Sequence, residues 1–239
     1  LVALLYAKSQ LMVAVTPNFM TSLKRRGVTN VRLVPNGADT ETFKPLSIGE
    51  KNKSFMIFYS GGVGGYYRLD VAVNAVKKLA DKGVENIKLI IVGRGEVQNV
   101  LNLAFKMGIS GNIKYKGVIN DKAKLAKLIA EADVGLVPYN DNPLWKNSLP
   151  AKFFEYCACG VPVVATAYED SILATLIKAH EVGLAVPPMD EEKLAEAFYR
   201  IYRDKSFREA AGKRARLLVE EKFDRNKIAE KLLKIIEEV

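Results

Sequence analysis

Short apolar runs of strand length alternate with helical segments along this 239-residue chain, and this pattern restricts its fold more than any other feature. Residues 134–137 and 161–166 are almost continuously apolar. A strand with no polar face has to be buried on both sides, which is typical of parallel sheets covered by helices. The pattern therefore predicts an α/β fold with a doubly wound, Rossmann-like parallel sheet.

The individual elements follow from this alternation and from their flanking Gly and Pro residues. We predict strands at 11–15, 31–34, 55–59, 87–92, 113–115, 134–137, 161–166 and 183–186. We predict helices at 17–26, 69–82, 96–107, 122–132, 150–158 and 172–179, with a region that is helical throughout from 191 to 239. In such sheets ligands bind at the carboxyl ends of the strands.

The composition indicates which class of partner the chain would bind and in which compartment we expect it. The net charge of +9 and the pI near 9.4 suit an anionic partner such as a nucleotide, a nucleic acid or an acidic membrane surface. Two cysteines, Cys157 and Cys159, are too few and too close together to staple a secreted scaffold, so we expect a reducing, cytoplasmic location. Residues 1–7 are apolar but lack an initiator Met and a basic start, which favours the end of a helix over a signal peptide.

A glycine-rich segment, Ser60-Gly-Gly-Val-Gly-Gly65, follows one predicted strand and precedes a predicted helix. Backbone N–H groups in such a segment can close on a phosphate because no side chain intervenes. It lacks the Gly-Lys-Ser/Thr of the phosphate loop and the acidic ribose ligand of a dinucleotide fingerprint. A flexible loop without a ligand is the alternative.

Residues 147–160, Asn-Ser-Leu-Pro-Ala-Lys-Phe-Phe-Glu-Tyr-Cys-Ala-Cys-Gly, carry the second candidate site. Lys152 and Glu155 lie three residues apart and so share one face of the predicted helix. Lys152 falls in the first turn, where the helix dipole disfavours a cation, and a violation of a local rule often marks function. An ordinary surface ion pair between the two side chains is the alternative.

These segments, taken in order, resemble the family 4 glycosyltransferases of GT-B fold. Val31-Arg-Leu-Val-Pro-Asn-Gly-Ala-Asp-Thr-Glu-Thr-Phe-Lys-Pro45 is similar to the signature at the junction of that family's two domains. The resemblance continues through the predicted strand ends at 58–62, 89–95, 115–118 and 132–139. Residues 152–166 resemble the second half of the family's two-glutamate motif.

The resemblance implies a domain organisation. Residues 1–44 would be the end of an N-terminal acceptor-binding domain, and 45–52 a linker within the polar stretch 38–53. Residues 53–205 would be the GT-B C-terminal domain that binds the donor. Residues 206–239 would form helices that cross back to the N-terminal domain.

The resemblance also implies an activity, the transfer of a sugar with retention from a nucleoside diphosphate sugar, without a metal or other cofactor. Arg68 and Lys152 would act catalytically by offsetting charge on the leaving diphosphate. The donor would further contact Lys116, Gly117 and Val118 at the base, and Gly61, Gly62, Ser148, Leu149 and Glu155 at the diphosphate and ribose. Asn147 is also implied as a donor-binding residue.

Two departures from the family pattern affect these assignments. The glutamate that touches the donor sugar in many members stands eight residues before the second glutamate, and here that position is Asn147. The usual diphosphate-binding Arg and Lys fall at Gly62 and Tyr67, and the nearest cation is Arg68. The Pro-x-Lys-x-x-Glu-Tyr pattern of a subgroup fits better, and this resemblance implies that Lys152 and Arg68 contact the diphosphate.

The implied partners are a nucleotide sugar and a separate N-terminal acceptor-binding domain, not nucleic acid, and the chain by itself is expected to be inactive. Lys24-Arg-Arg26 either approaches a lipid-linked or glycan acceptor at a membrane surface, which would make the protein membrane-associated, or neutralises a helix C-terminus. A non-catalytic nucleotide-binding module, or one half of a two-chain enzyme, is the rival interpretation. A nicotinamide dehydrogenase fits less well.

Overall fold

The computed structural model describes residues 9–46, 54–84 and 86–238. The predicted helix end at 1–7 and most of the predicted linker, 47–52, lie outside the described residues. The first described elements form a small unit of their own. Strands β1 (Met12–Ala14) and β2 (Val31–Leu33) pair in parallel, and helix α1 (Pro17–Arg25) connects them. Thr16 caps α1 by accepting a hydrogen bond from the N–H of Phe19.

The remaining strands form one parallel sheet in the order β5-β4-β3-β6-β7-β8. Their bounds are β3 Phe55–Val63, β4 Ile87–Gly95, β5 Ile113–Tyr115, β6 Val134–Pro138, β7 Val163–Thr166 and β8 Gly183–Val186. From β3 the chain first extends the sheet on one side through β4 and β5. It then returns to the other side of β3 and adds β6, β7 and β8 in turn. This is the doubly wound topology, so the predicted fold class is confirmed.

Helices cover both faces of this sheet, and each helix connects or follows strands in the predicted order. They are α2 Leu69–Asp81, α3 Val97–Lys106, α4 Lys122–Ala130, α5 Ala151–Ala158, α6 Ile172–His180, α7 Glu191–Arg203, α8 Lys205–Leu218 and α9 Arg225–Glu237. Short 3-10 turns occupy Ser110–Asn112 and Pro143–Asn147, and a π turn occupies Val219–Phe223. No helix in the described ranges is long and apolar enough to span a membrane.

The C-terminal region is helical, as we predicted, and consists of three helices, the second and third of which begin at aspartate caps. The Asp204 carboxylate accepts a hydrogen bond from the N–H of Phe207 and begins α8. The Asp224 carboxylate accepts from the N–H groups of Asn226 and Lys227 and begins α9. Because Asp side chains satisfy the free N–H groups of a first turn, they favour helix starts over helix interiors.

Strand β3 lies at the centre of the sheet and contributes to both cores. Ile57 and Tyr59 pack on the face covered by α2 and α7, whereas Met56 and Phe58 pack on the face covered by α4 and α5. Ile57, Phe58 and Tyr59 have no exposed surface. Burial on both faces explains why residues 55–59 are apolar without interruption.

The glycine segment differs from the prediction because β3 does not end at Tyr59. It continues to Val63, and Gly61 pairs with Gly93 of β4. A Cβ atom on Gly93 would lie 1.8 Å from the carbonyl oxygen of Gly61, so the two strands can approach only where this residue is glycine. The first glycine pair is therefore the end of a strand, and the loop proper begins at Gly64.

The C-terminal segment packs against residues that precede the sheet. The N–H of Ala38 donates to the carbonyl of Phe223 at 3.0 Å, and the N–H of Arg225 donates back to Ala38 at 2.9 Å. The Arg216 guanidinium donates to the carbonyls of Phe43 at 2.8 Å and of Ala158 at 2.7 Å. The structure thus joins α8 and α9 to the 37–43 segment, while the division into domains at 44, 53 and 205 stays a prediction.

Gly37 gives a direct test of this junction, because a Cβ atom there would lie 2.2 Å from the carbonyl oxygen of Phe223 and 2.8 Å from Cδ1 of Ile228. We expect Gly37→Ala to lower the free energy of unfolding by about 1–3 kcal/mol through overpacking. Gly111→Ala is the matched control, since a Cβ atom on Gly111 would meet no heavy atom of the described residues within 4 Å, its chain neighbours apart. Urea denaturation measures the free energy of unfolding of both variants, and equal values for the two would contradict the packing of Gly37 against Phe223 and Ile228.

Candidate functional site

A cavity of about 400 Å³ lies at the carboxyl ends of β3 and β6, the two strands between which the sheet changes its direction of growth. Ligands bind at this position in doubly wound sheets. The cavity is lined by Ser60, Gly61, Gly62, Tyr67, Leu125, Tyr139, Trp145, Ser148, Pro150, Ala151, Lys152 and Glu155.

Helix α5 is fixed to the floor of this cavity by Tyr156. Its hydroxyl accepts the N–H of Ser60 at 3.0 Å and lies 3.3 Å from the Ser60 hydroxyl. Its ring packs so closely on β6 that a Cβ atom on Gly135 would lie 2.3 Å from the ring. The first turns of α5, which carry Lys152 and Glu155, therefore stand directly over the end of β3.

The amine of Lys152 is buried at the glycine end of β3. The residue is 7% exposed, and its Nζ finds no hydrogen-bond partner among the described residues. Nζ lies 3.7 Å from the centre of the Tyr67 ring and 4.2 Å from that of Tyr59. A Cβ atom on Gly61 would lie 2.8 Å from Nζ, so the lack of a side chain at Gly61 is what admits the amine.

Burial lowers the pKa of Lys152 to about 7, with the charge of Glu155 acting in the opposite direction. Contacts with two aromatic faces offset part of the desolvation of a cation, but they supply no hydrogen-bond acceptor. An anion in the cavity would provide the missing acceptors and would favour the charged form.

Glu155 is the acidic member of the site. Burial raises the pKa of its carboxyl group, against the opposing charges of Arg225, Lys152 and Lys122. Ionised, the carboxylate can only accept hydrogen bonds, which suits it to ligand hydroxyl groups.

The structure brings five of the predicted site residues into one cavity, Gly61, Gly62, Ser148, Lys152 and Glu155. The N–H of Ser148 donates to the Trp145 carbonyl at 3.2 Å, so its hydroxyl, 3.0 Å from that of Tyr139, is the group left for a ligand.

Two other predicted residues flank the cavity without lining it, Leu149 and Asn147. The Asn147 side-chain oxygen accepts a hydrogen bond from Asn18 in α1.

Arg68 is not brought together with Lys152. Its guanidinium forms two hydrogen bonds with the carboxylate of Asp70, which raise its pKa, and Nη1 lies 3.2 Å from the sulfur of Met189. It lines a separate cavity of about 270 Å³. The sequence did contain a signal for this pairing, since Asp70 stands two positions from Arg68 and a carboxylate can accept two hydrogen bonds from one guanidinium.

The residues predicted to meet the base, Lys116, Gly117 and Val118, follow β5 and lie outside the lining of the cavity. The Lys116 N–H donates to the Ile91 carbonyl at 2.9 Å, and the Gly117 carbonyl accepts from the Gly93 N–H at 2.9 Å. Their backbone is thus partly used by the sheet, while the Val118 side chain is exposed.

Sequence reasoning missed an aromatic wall, which we define as Tyr67, Tyr139 and Trp145. The Trp145 and Tyr139 rings stack with centres 4.6 Å apart and planes 2° apart, and Tyr67 lies 5.6 Å from Tyr139. The available signal was the chain's single tryptophan, placed in a polar segment between a strand and a helix. Its neighbours were not predictable, since the wall joins three separate segments.

The site has no ready-made metal centre. Within the described ranges, no three His, Cys, Asp or Glu side chains lie close enough to hold a metal ion. The two cysteines are buried on and beside α5, and burial raises the pKa of both thiols.

The comparison with known families decides the identity of the chain. The family described as glycosyl transferases group 1 matches residues 40–218, more than half of the sequence and all of the cavity lining. The chain belongs to the group 1 glycosyltransferases. The resemblance predicted from its motifs is therefore confirmed.

The matches between this group 1 glycosyltransferase and its curated relatives cover only part of each relative's length. An uncharacterized glycosyltransferase of Methanocaldococcus jannaschii is 29% identical over 191 residues, 79% of this chain and 46% of the relative. A GDP-mannose-dependent α-(1-6)-phosphatidylinositol dimannoside mannosyltransferase of Mycobacterium tuberculosis is 30% identical over 162 residues, 65% of this chain and 40% of the relative. The chain thus spans less than half the length of these relatives.

Solved structures similar to this group 1 glycosyltransferase show the GT-B fold. A glycosyltransferase from Rickettsia africae has a TM-score of 0.80 at 19% identity, over 95% of this chain and 63% of that one. The Anabaena protein HepE, in complex with UDP, has a TM-score of 0.79 at 16% identity, over 99% of this chain and 66% of that one.

The lowered pKa of Lys152 predicts a pH-dependent cost to stability. Between about pH 7 and the ordinary value of 10.5, the unfolded chain holds a proton on Lys152 that the folded chain lacks. Stability should therefore rise with pH in this window by up to about 1.4 kcal/mol per pH unit, and the cost is fully present below pH 7.

We expect Lys152→Met to be more stable than wild type at pH 7, by a margin that shrinks towards pH 10. Lys106→Met, which removes an exposed lysine, is the control. Urea denaturation across this range measures the margin, and parallel pH curves for wild type and Lys152→Met would contradict the burial of the amine.

Proposed function

We propose that this chain carries the donor-binding site of a retaining glycosyltransferase whose donor is a nucleoside diphosphate sugar. The observation that carries the proposal is the buried Lys152 amine, which lacks a hydrogen-bond partner among the described residues and stands at the glycine end of β3. A diphosphate in the cavity would pair with this amine, and the glycines leave room for it to approach the backbone.

The other polar groups of the cavity suit the remaining parts of a nucleotide. The Glu155 carboxylate, one turn along α5 from Lys152, would accept hydrogen bonds from the ribose hydroxyls. The Ser148 hydroxyl would donate to a phosphate oxygen. Residues 116–118 at the end of β5 stay our proposed contact for the base, and Arg68 would join the diphosphate only if its pairing with Asp70 were broken.

In the transfer step, negative charge grows on the departing diphosphate. A protonated Lys152 held close to that position would stabilise this charge without reorganising, because surrounding side chains already fix the amine. Transfer also requires an acceptor held against the donor sugar, and such positioning can account for roughly 7–11 kcal/mol of the barrier. We therefore propose that the chain by itself binds donor but does not turn it over, and that an acceptor-binding part completes the enzyme.

One observation favours a second candidate, a nucleotide-binding module without catalysis. Asn147 stands where many family members place a carboxylate at the donor sugar, and its side-chain oxygen is engaged by Asn18. The two candidates differ in one assay, since only the enzyme hydrolyses or transfers the sugar of a bound nucleotide sugar once the acceptor-binding part is supplied.

The first test is nucleotide binding by calorimetry. We expect at least one of UDP, GDP, ADP and TDP to bind, and to bind equally well in the presence of a chelator, because Lys152 takes the part that a divalent cation plays at other diphosphate sites. Lys152→Met should weaken this binding by about 10- to 100-fold, the range for a charged hydrogen bond. Failure of all four to bind would overturn the proposed function, and loss of binding on chelation would overturn the metal-free site.

Glu155→Ala separates the ribose contact from the diphosphate contact. We expect it to weaken binding of the nucleoside diphosphate by about 1.5–3 kcal/mol, the range for a hydrogen bond to a charged group. Binding of inorganic pyrophosphate should hardly change, since Lys152 and the glycine backbone remain. Equal losses for both ligands would place Glu155 in a structural role.

A further inference from the structure

The aromatic wall and Glu155 both line the cavity, and Lys152 is a neighbour of each. Glu155 faces α4, since the charge of Lys122 acts on its carboxyl group and Leu125, one turn further along α4, lines the cavity. Lys152 lies next in line, and its amine contacts the ring of Tyr67 in the wall. The lining therefore runs from a carboxylate, through a cation, to stacked aromatic rings.

A nucleoside diphosphate sugar has the same order of parts. If the ribose lies at Glu155 and the diphosphate at Lys152, as the proposed function has it, the sugar on the second phosphate extends towards Tyr67, Tyr139 and Trp145. Tyr139 is 1% exposed, and the Lys152 amine lies 3.7 Å from the centre of the Tyr67 ring. The half-buried Trp145 is therefore the lining ring left for a ligand.

Trp145 is held rigidly before any ligand arrives. Its indole N–H donates to the Asn140 side-chain oxygen, and the Asn140 amide nitrogen donates to the Gly65 carbonyl at 3.2 Å. The centre of the Tyr66 ring lies 5.4 Å from that of Trp145, with the two planes at 82°. A ring whose hydrogen bond is already satisfied offers an apolar face at little cost in entropy.

We propose that the aromatic wall binds the transferred sugar of the donor, with the apolar C–H face of a pyranose packed against Trp145. This inference rests on the proposed function and adds a sugar subsite to it. Ring packing would then take the place of the carboxylate contact that Asn147 does not supply. The preferred donor is a hexose without a carboxylate, because an aromatic face offers no partner to a negative charge.

The test compares each nucleotide sugar with its own nucleoside diphosphate, so that the diphosphate and ribose contacts cancel. Calorimetry with UDP, UDP-glucose, GDP and GDP-mannose is carried out on wild type, Trp145→Ala and Trp145→Phe. Leu144→Ala is the matched control, because Leu144 is exposed in the same turn and does not line the cavity.

We expect Trp145→Ala to weaken binding of the nucleotide sugar about 3- to 10-fold, the range for an aromatic contact. The affinity for the nucleoside diphosphate should stay within about twofold of the wild-type value. Trp145→Phe should recover most of the lost affinity, and Leu144→Ala should change the affinity for neither ligand. Equal effects of Trp145→Ala on both ligands, or no effect on either, would overturn the sugar subsite and leave the proposed function standing. Failure of UDP, GDP, ADP and TDP alike to bind wild type would overturn both.

Intrinsic fluorescence gives a second measurement that needs no variant. Trp145 is the only tryptophan of the chain, so the emission reports on the wall alone. We expect the nucleotide sugar that binds to change this emission more than its nucleoside diphosphate does at saturation. Identical spectral changes would count against the subsite.

Discussion

The contact between helix α5 and the ends of β3 and β6 determines the whole site. Tyr156 fastens the helix to Ser60, and the glycine at position 135 lets its ring rest on the backbone of β6. Because this contact is completely buried, the first turns of α5 cannot shift relative to the strand ends. Lys152 and Glu155 are therefore held in position without help from a mobile loop.

Burying an amine in this position opposes folding, and the surrounding core has to outweigh that cost. Two aromatic faces lessen the cost, and loss of the proton near neutral pH limits it. Functional sites often retain such locally unfavourable arrangements when the rest of the fold is stable enough. The same amine becomes favourable once an anion supplies its missing acceptors, so the site is poised to bind one.

The sequence predicted the sheet well, because strands buried on both faces carry a pattern that only an α/β fold accommodates. It also predicted that Lys152 and Glu155 share a face, since helical spacing is a local property. It did not predict that β3 continues through Gly61, or that Arg68 turns away to Asp70. Pairing between strands depends on residues far apart in the chain. Asp70 is only two positions from Arg68, but whether the guanidinium bonds it or reaches the cavity depends on the folded backbone around them. The aromatic wall was missed for the same reason, because Tyr67, Tyr139 and Trp145 meet only after folding.

The central claim is that the Lys152 amine is the group that meets the diphosphate, and proton uptake on binding tests it most directly. Calorimetry at pH 8 in buffers of different ionisation enthalpy measures the protons taken up with the tightest-binding nucleoside diphosphate. With a free pKa of about 7, wild type should take up about 0.9 proton more than Lys152→Arg, whose side chain is always charged. Equal uptake by the two proteins would contradict the claim.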